Sequence, residues 1–190
     1  MSGQRNMDIR ILRAQKGDTA AFEELVREHE RKIYNLCFNT MGSMEDAADM
    51  AQETLLKAWR ALERFDGRSG LGTWLYRIAV NTCLDELRRR KNRSAVSMQS
   101  LAEKGWEPED DSGDFVERSI QRDEVRRALL ELPEEYRTVL ILRDIQGFSY
   151  DEIASILECP VGTVRSRLNR ARGNIAKKLE NRERFGKHSV

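Results

Sequence analysis

The sequence predicts an all-α protein made of two small helical domains joined by an acidic, flexible linker. Its composition is typical of charged helical proteins, with 34% charged and 7% aromatic residues and only 3 prolines in 190 residues. Apolar residues recur at spacings of three and four on both sides of the linker. Charge is uneven along the chain: residues 1–93 carry 17 basic and 14 acidic side chains (+3), residues 94–117 carry 1 and 7 (−6), and residues 118–190 carry 15 and 11 (+4). We therefore expect domains at 1–93 and 118–190, with 94–117 as the linker.

Membrane and secreted proteins do not fit this sequence. The chain has no apolar run near the roughly 18 residues that span a bilayer, so direct membrane insertion is not expected. Its first twenty residues lack the apolar core of a signal peptide. These two features predict a cytoplasmic protein.

The cysteines and histidines do not predict a metal or catalytic site. Cys37, Cys83 and Cys159 are far apart in apolar helical contexts, which favours buried free thiols over disulfides. His29 and His188 lack partners at ligand spacing. We expect no metal, no cofactor, no catalytic residues and no small-molecule substrate, hence no enzyme.

Three helices are predicted in the first sixty residues. The first spans Met7–Gln15, with Ile9, Leu12 and Ile11 apolar, and Gly17 ends it before Asp18 caps the second. The second helix carries an apolar stripe at positions 22, 25, 26, 33, 36 and 37, and a break at 41–43 follows.

The third helix runs from Ser43 to about Leu62 and has two distinct sides. The side expected to be buried contains Ala48, Ala51, Leu55, Ala58, Trp59 and Leu62. The opposite side contains Asp49, Gln52, Glu53, Leu56 and Arg60. A leucine among acidic and amide groups fits a protein-docking face, but periodicity alone slightly favours a solvated face with one stray leucine.

A glycine-containing loop at Phe65–Gly70, which includes Arg68, precedes a fourth helix capped by Thr73. One side of this helix is apolar, and the other presents Trp74, Arg77, Asn81, Asp85 and Arg88 before a basic run at 88–93. An aromatic, a cation and an amide along one stripe suit the binding of single-stranded nucleic acid. An equally weighted alternative is that the tryptophan closes a domain edge and the basic run complements the helix dipole.

The second half predicts a compact domain of four helices. One helix covers Ser119–Leu132, and Pro133 starts the next, which directs positions 139, 140 and 142 to the core. Ser149 and Glu152 form a capping-box pattern for a helix at 150–157, with 153, 154 and 157 inward. A tight turn at 158–159 and a new helix from Val161 complete a helix-turn-helix pattern.

The last helix has the side chains of a recognition helix. Val164 and Leu168 should pack inward, while Arg165, Ser166, Asn169 and Arg170 face a groove. Arginine reads guanine and asparagine suits adenine, and the surrounding basic residues favour phosphate contacts. The alternative is a solvated basic helix. Arg143, at the end of the preceding helix, suits either a DNA contact or a structural salt bridge.

Three segments, at 49–62, 64–90 and 132–172, together resemble an extracytoplasmic-function (ECF) sigma factor, a two-domain member of the major bacterial sigma family. They read DMAQETLLKAWRAL, RFDGRSGLGTWLYRIAVNTCLDELRRR and LPEEYRTVLILRDIQGFSYDEIASILECPVGTVRSRLNRAR. The resemblance covers about residues 8–180. It implies a sigma-2 helical bundle and a sigma-4 helix-turn-helix domain without the middle domain of larger sigma factors.

The resemblance also implies partners and site residues. Core RNA polymerase would be bound through the clamp helices of its largest subunit, which the positions of Asp49, Gln52, Glu53 and Leu56 match, and through its flap by sigma-4. Promoter −10 DNA would be held at the positions of Phe65, Arg68, Trp74, Arg77 and Asn81. Promoter −35 DNA would be read at the positions of Arg143, Arg165, Ser166, Asn169 and Arg170. Many relatives carry an aromatic residue or histidine where Asn169 stands. The resemblance further implies an anti-sigma factor that holds the chain inactive.

Two further classes of function stay open on the sequence. A stand-alone helix-turn-helix regulator predicts a dimer on a palindromic site. An interaction module such as an anti-sigma protein would not need the groove-facing set at 165–170.

Overall fold

The structure is a computed structural model that describes residues 8–96 and 125–186, with side chains for 8–93 and 125–179. Within these ranges the regular structure is helical and no strand occurs. The all-α prediction is therefore confirmed for the described part of the chain. The predicted linker, apart from its first three residues, and the predicted helical start at 119–124 lie outside the described residues.

The first half contains four α-helices and one short 3₁₀ turn among its described residues. They are α1 (Ile9–Gln15), α2 (Thr19–Met41), α3 (Met44–Ala61), the turn Leu62–Arg64, and α4 (Leu71–Val96). The described second half begins with helical residues 125–130. After these come α5 (Glu134–Leu140), a π-helical turn (Ile141–Ile145), α6 (Tyr150–Leu157) and α7 (Val161–Gly186).

The helix ends are set by local hydrogen bonds that the sequence pattern predicts. Asp18 accepts a bond from the amide of Ala21 (3.0 Å) at the start of α2. The capping box of α6 is confirmed: Ser149 Oγ accepts from the amide of Glu152 (3.2 Å), and Glu152 Oε2 accepts from the amide of Ser149 (2.8 Å). Gly42 ends α2 with φ of 83°, a left-handed conformation that glycine adopts readily.

The buried side of α3 is centred one residue earlier than the sequence predicts. Ala48 is exposed, whereas Ala47, Thr54 and Ala58 are buried. Thr54 was not among the positions predicted to be buried. Here Thr54 Oγ1 donates to the carbonyl of Met50 (2.6 Å), so the hydroxyl is satisfied inside the helix and the residue can be buried.

Two other predicted sides differ in detail. In α1 the structure buries Ile11 and leaves Ile9 66% exposed, because α2 covers only one side of this short helix. In α6 the buried pair is Ile153 with Ile156, and Leu157 is half-buried at the helix end.

The two halves pack against each other and share one hydrophobic core. This core contains side chains of α2, α3 and α4 together with side chains of α5, α6 and α7. The rings of Tyr76 (α4) and Phe148 meet edge to face with centroids 4.6 Å apart. Arg137 Nη1 donates to the carbonyl of Thr40 across the boundary (2.8 Å). We refer to this boundary between residues 8–96 and 125–186 as the seam.

The three cysteines are free, as predicted. Cys37 and Cys83 are buried, while Cys159 in the turn after α6 is partly exposed. A hydrogen bond from Cys83 and burial both raise the pKa of the Cys37 thiol, so it stays protonated near neutral pH.

Candidate nucleic-acid interface

The first turns of α7 present four polar side chains to solvent. Val164, Leu168 and Ala171 are buried and hold the inner side of α7 against the core of the second half. The outer side exposes the four predicted residues Arg165, Ser166, Asn169 and Arg170. The structure brings these four together on one surface, which we call the groove face.

Hydrogen bonds position part of the groove face. Ser166 Oγ donates to the carbonyl of Thr163 (3.0 Å), a local bond that leaves its oxygen available as an acceptor. A side-chain hydrogen bond with Tyr136 raises the pKa of Arg170, which therefore stays charged. Sequence reasoning missed Tyr136, since it lies in α5 and no local pattern links it to α7.

Ion pairs flank the groove face and lock α7 onto the domain. Arg172 pairs with Asp144 (2.6 Å), and Arg167 with Glu135 (3.2 Å). Both pairs connect α7 to the segment before the helix-turn-helix. Arg167 and Arg172 are thus held in structural pairs, whereas Arg165 and Arg170 lie on the exposed groove face.

Arg143 has a structural contact that differs from the predicted salt bridge. Its Nη1 donates to the carbonyl of Phe148 (2.8 Å), and its guanidinium lies 5.1 Å from the ring centroid of Tyr150. These contacts brace the loop that leads into α6. The residue is only partly buried, so part of its guanidinium stays accessible to solvent.

A cavity of about 490 Å³ opens in the first half, at the loop before α4. The structure brings four of the five predicted −10 residues to its wall. The lining consists of Arg64, Phe65, Asp66, Arg68, Ser69, Trp74, Arg77 and Ser155. We call this the loop cavity.

The aromatic floor of the loop cavity is a pair of tilted rings. Phe65 is buried and lies against Trp74, with ring centroids 5.1 Å apart at 50°. Trp74 is half-buried, so part of its side chain stays accessible beside its contact with Phe65. Arg68 is exposed and pairs with Asp66, and a backbone hydrogen bond from Arg68 contributes most to lowering the pKa of that carboxyl group.

Arg77 and Asn81 continue from the loop cavity along α4. Asn81 is exposed one turn beyond Arg77 and does not line the cavity. Arg77 is partly buried because it bonds the second half, through Glu158 and Ser155. These two partners were missed by sequence reasoning, since Glu158 lies 81 and Ser155 78 positions away in the chain.

The predicted docking side of α3 is a separate surface. Asp49, Gln52 and Leu56 are exposed, Leu56 to 44%, while Glu53 is half-buried and lies 3.6 Å from Lys57. A single exposed leucine is ordinary on a protein surface, so the exposure of Leu56 does not by itself identify a docking face.

An ion cluster holds α3 in place against α4. Arg90 donates to both carboxylate oxygens of Asp46 (2.8 and 2.6 Å) and to Glu86 (2.9 Å). Hydrogen bonding to Arg90 lowers the pKa of both carboxyl groups. The docking side thus rests on a rigid helix pair.

No group of three or more potential metal ligands occurs in 8–96 or 125–186. Among the helices described there, none is long and apolar enough to cross a membrane.

Comparison with known families matches both halves of the chain. The Sigma-70 region 2 family matches residues 10–93, and the Sigma-70, region 4 family matches residues 122–175. The RNA polymerase sigma-H factor of Pseudomonas aeruginosa is 41% identical over 177 residues, covering 90% of this chain and 92% of that protein. The ECF RNA polymerase sigma-E factor of Escherichia coli K12 is 39% identical over 187 residues, covering 95% and 97%.

Two solved structures resemble the chain across both halves. The sigma factor RpoE of Bartonella quintana, in complex with the anti-sigma factor NepR, matches with a TM-score of 0.68 and 27% identity, covering 84% of this chain and 96% of that one. CnrH in complex with the cytosolic domain of CnrY matches with a TM-score of 0.69 and 25% identity, covering 91% and 96%. The two family matches occur in the expected order, and relatives near 40% identity align over almost the full length. This chain therefore belongs to the extracytoplasmic-function sigma factors and is an RNA polymerase sigma factor.

Proposed function

We propose that this sigma factor binds core RNA polymerase in the cytoplasm and directs it to stress- or envelope-responsive promoters through three separate surfaces. The observation that carries the proposal is the groove face. Four polar side chains are exposed on the first turns of a helix whose other side is fully buried, and that helix follows a capped helix-turn-helix. The proposal divides the chain into a promoter-opening domain at 1–93, a linker at 94–117 and a −35 domain at 118–190.

The groove face reads the −35 element in this proposal. Arg165 and Arg170 donate bidentately to guanine or bind phosphate, and Ser166 and Asn169 contact base edges or the backbone. Arg143 contacts DNA with the N–H groups that its bond to Phe148 leaves available. The ion pairs of Arg167 and Arg172 fix the helix orientation on which this readout depends.

The loop cavity and the exposed stripe of α4 hold the unpaired −10 strand. Trp74 offers a ring edge over Phe65, Arg68 and Arg77 supply cations, and Asn81 supplies an amide. Stacking of one base contributes roughly 1–3 kcal/mol, and unstacking costs a few kcal/mol. Because these terms nearly balance, promoter opening should require polymerase as well as this chain.

The docking side of α3 binds the clamp helices of the largest polymerase subunit in this proposal, and the −35 domain binds the flap. Leu56 would become buried there, with Asp49, Gln52 and Glu53 around it as a polar rim. An anti-sigma factor is proposed as the inhibitory partner, by analogy with the complexes of RpoE and CnrH. The chain acts by binding, without a catalytic step, a cofactor or a small-molecule substrate of its own.

Run-off transcription with core polymerase on genomic fragments tests the proposal. Core polymerase with the wild-type chain should start at defined sites, and core polymerase alone should not. Arg165→Ala and Arg170→Ala should each weaken −35 binding of the reconstituted holoenzyme by about 1–3 kcal/mol. Lys177→Ala is the matched control, because Lys177 is an exposed cation on the same helix beyond the groove face.

Two further variants separate the surfaces. Asn81→Ala should spare duplex binding and slow promoter opening, measured by permanganate reactivity of the open strand. Leu56→Asp should lower the affinity for core polymerase without changing the fold of the isolated chain, since Leu56 is exposed there. The proposal fails if polymerase gains no start-site choice from the wild-type chain.

A further inference from the structure

The last side chain of α1 holds the bend that joins α3 to the loop cavity. Gln15 Nε2 donates to the carbonyl of Leu62 (3.1 Å) and to the carbonyl of Phe65 (2.8 Å). A glutamine amide group has two N–H donors, so these bonds use both of them. Leu62 begins the 3₁₀ turn and Phe65 directly follows it. Gln15 therefore spans the whole bend from one end to the other.

The bend also has hydrogen bonds of its own. The amide of Phe65 donates to the carbonyl of Leu62 (3.0 Å), the same carbonyl that Gln15 bonds. Further along, the side chain of Asp66 accepts from the amide of Arg68 (3.1 Å). These bonds shape the loop locally, whereas Gln15 ties it to a helix that lies 47 and 50 positions earlier in the chain.

A small hydrophobic cluster lies beneath the same bend. Leu62 and Phe65 are buried there together with Ile11 and Ala14 of α1 and with two residues of the first turns of α2. Phe65 in turn contacts Trp74, the other ring of the cavity floor. The position of the floor therefore depends on how α1 packs against the bend.

Hydrogen bonds and apolar contacts constrain the bend in different ways. Apolar burial is not directional, so the cluster keeps the bend close to α1 without orienting its peptide groups. Hydrogen bonds to two carbonyls fix the distance and the direction of both groups. The direction in which the chain leaves Phe65 then determines where Asp66 and Arg68 lie on the cavity wall.

We infer that Gln15 is a positioning residue for promoter opening: it holds the bend at 62–65 so that the loop cavity is already formed when the unpaired −10 strand arrives. This inference rests on the proposed role of the loop cavity in holding that strand. Gln15 does not line the cavity, so it acts through the loop and not by touching DNA. A preformed site avoids the entropic cost of ordering a loop during binding.

Two substitutions of Gln15 separate hydrogen bonding from shape. Gln15→Glu has nearly the same shape, but its carboxylate has no N–H donor and repels both carbonyl oxygens. Gln15→Lys changes the charge in the opposite direction and keeps N–H donors that can bond both carbonyls. Asn35→Asp and Asn35→Lys are the matched controls, because Asn35 is an exposed amide on α2 and the changes in net charge are identical.

The first measurement is hydrogen exchange of the full chain, followed by mass spectrometry in the absence of DNA. In Gln15→Glu the amides of residues 62–70 should exchange several-fold faster than in wild type, because local opening no longer breaks the two bonds of Gln15. Gln15→Lys and both Asn35 variants should exchange like wild type. Equal exchange of 62–70 in Gln15→Glu and Asn35→Asp would show that the inference is wrong.

The second measurement is the rate of promoter opening by the reconstituted holoenzyme, followed by permanganate reactivity on a promoter fragment recovered by run-off transcription. Gln15→Glu should open the promoter about five- to twentyfold more slowly than wild type, the factor that the loss of one or two hydrogen bonds gives. Gln15→Lys should restore most of the rate. Affinity for core polymerase and for duplex DNA should be unchanged in both variants, which a general loss of folding would not allow.

Trp74→Ala distinguishes this inference from the proposed function, since Trp74 lines the loop cavity itself. If Trp74→Ala opens the promoter at the wild-type rate, the proposed role of the cavity fails and the inference fails with it. If Trp74→Ala is slow while Gln15→Glu opens as fast as Asn35→Asp, the inference alone is overturned. Equally slow opening by Gln15→Lys and Gln15→Glu would also overturn it, because the N–H donors would then be irrelevant.

Discussion

Arg137 is the most informative residue to replace, because it joins the two halves from a buried position. It is 9% exposed and has no carboxylate among its hydrogen-bond partners. Its guanidinium donates to the carbonyls of Thr40 (2.8 Å), Leu130 (2.8 Å) and Leu132 (3.1 Å). Thr40 is next to the last residue of α2, and Leu130 ends the helical residues 125–130.

The location explains how a buried cation is tolerated. The last carbonyls of a helix have no partner within it, and the negative end of the helix dipole favours a cation. Arg137 meets both needs at two helix ends. Burial nevertheless lowers the pKa of Arg137, a sign that desolvation opposes the charged form.

These contacts set the expected magnitude for Arg137→Met. Its loss leaves two buried carbonyls, those of Thr40 and Leu132, without this donor, at about 1–3 kcal/mol each. Removal of a poorly solvated charge offsets part of that cost. We expect Arg137→Met to lower the free energy of unfolding by about 2–4 kcal/mol. Arg137→Lys should lower it by about half as much, because lysine keeps the charge but lacks the several N–H donors of the planar guanidinium group.

Urea unfolding followed by circular dichroism measures the effect. Arg88→Met is the control, since Arg88 is an exposed arginine with one surface ion pair and should change stability by less than about 0.5 kcal/mol. If Arg137→Met behaved like this control, the carbonyl bonds would contribute nothing net, and the account of the seam would be wrong.

Three further predictions concern His29, Cys159 and Gly42. Burial lowers the pKa of His29, so as pH falls below about 6.5 the unfolded chain takes up the proton before the folded chain does. Between pH 7 and pH 5 the free energy of unfolding of wild type, measured by urea titration, should therefore fall. That of His29→Gln should stay constant over the same range. In a native thiol-labelling experiment Cys159 should react quickly, whereas Cys37 and Cys83 should react only on unfolding. Gly42→Ala should lower the melting temperature, at a cost of more than about 1 kcal/mol, because φ is positive there and the new methyl carbon would lie 2.6 Å from a leucine methyl.

Much of the groove face was predictable because helix periodicity and caps are local. Ser149 and Glu152 define where α6 begins, and the spacing of Val164 and Leu168 determines which side of α7 is exposed. For α3 the same reasoning predicted that Ala48 is buried, whereas the structure buries its neighbour Ala47. Thr54 is buried there because α2 and α4 both pack on α3, and its hydroxyl group finds an acceptor within its own helix.

The sequence by itself determined the helices, their caps, the charged faces and the family to which the chain belongs, because each depends on residues close together along the chain or on recognisable segments. Only the tertiary structure decided that the two halves share a core. It also decided that Arg137 satisfies carbonyls of both halves and that Glu158 reaches Arg77. Such contacts depend on how whole helices pack, and a pairing between residues 77 and 158 leaves no periodic or compositional signal in the chain.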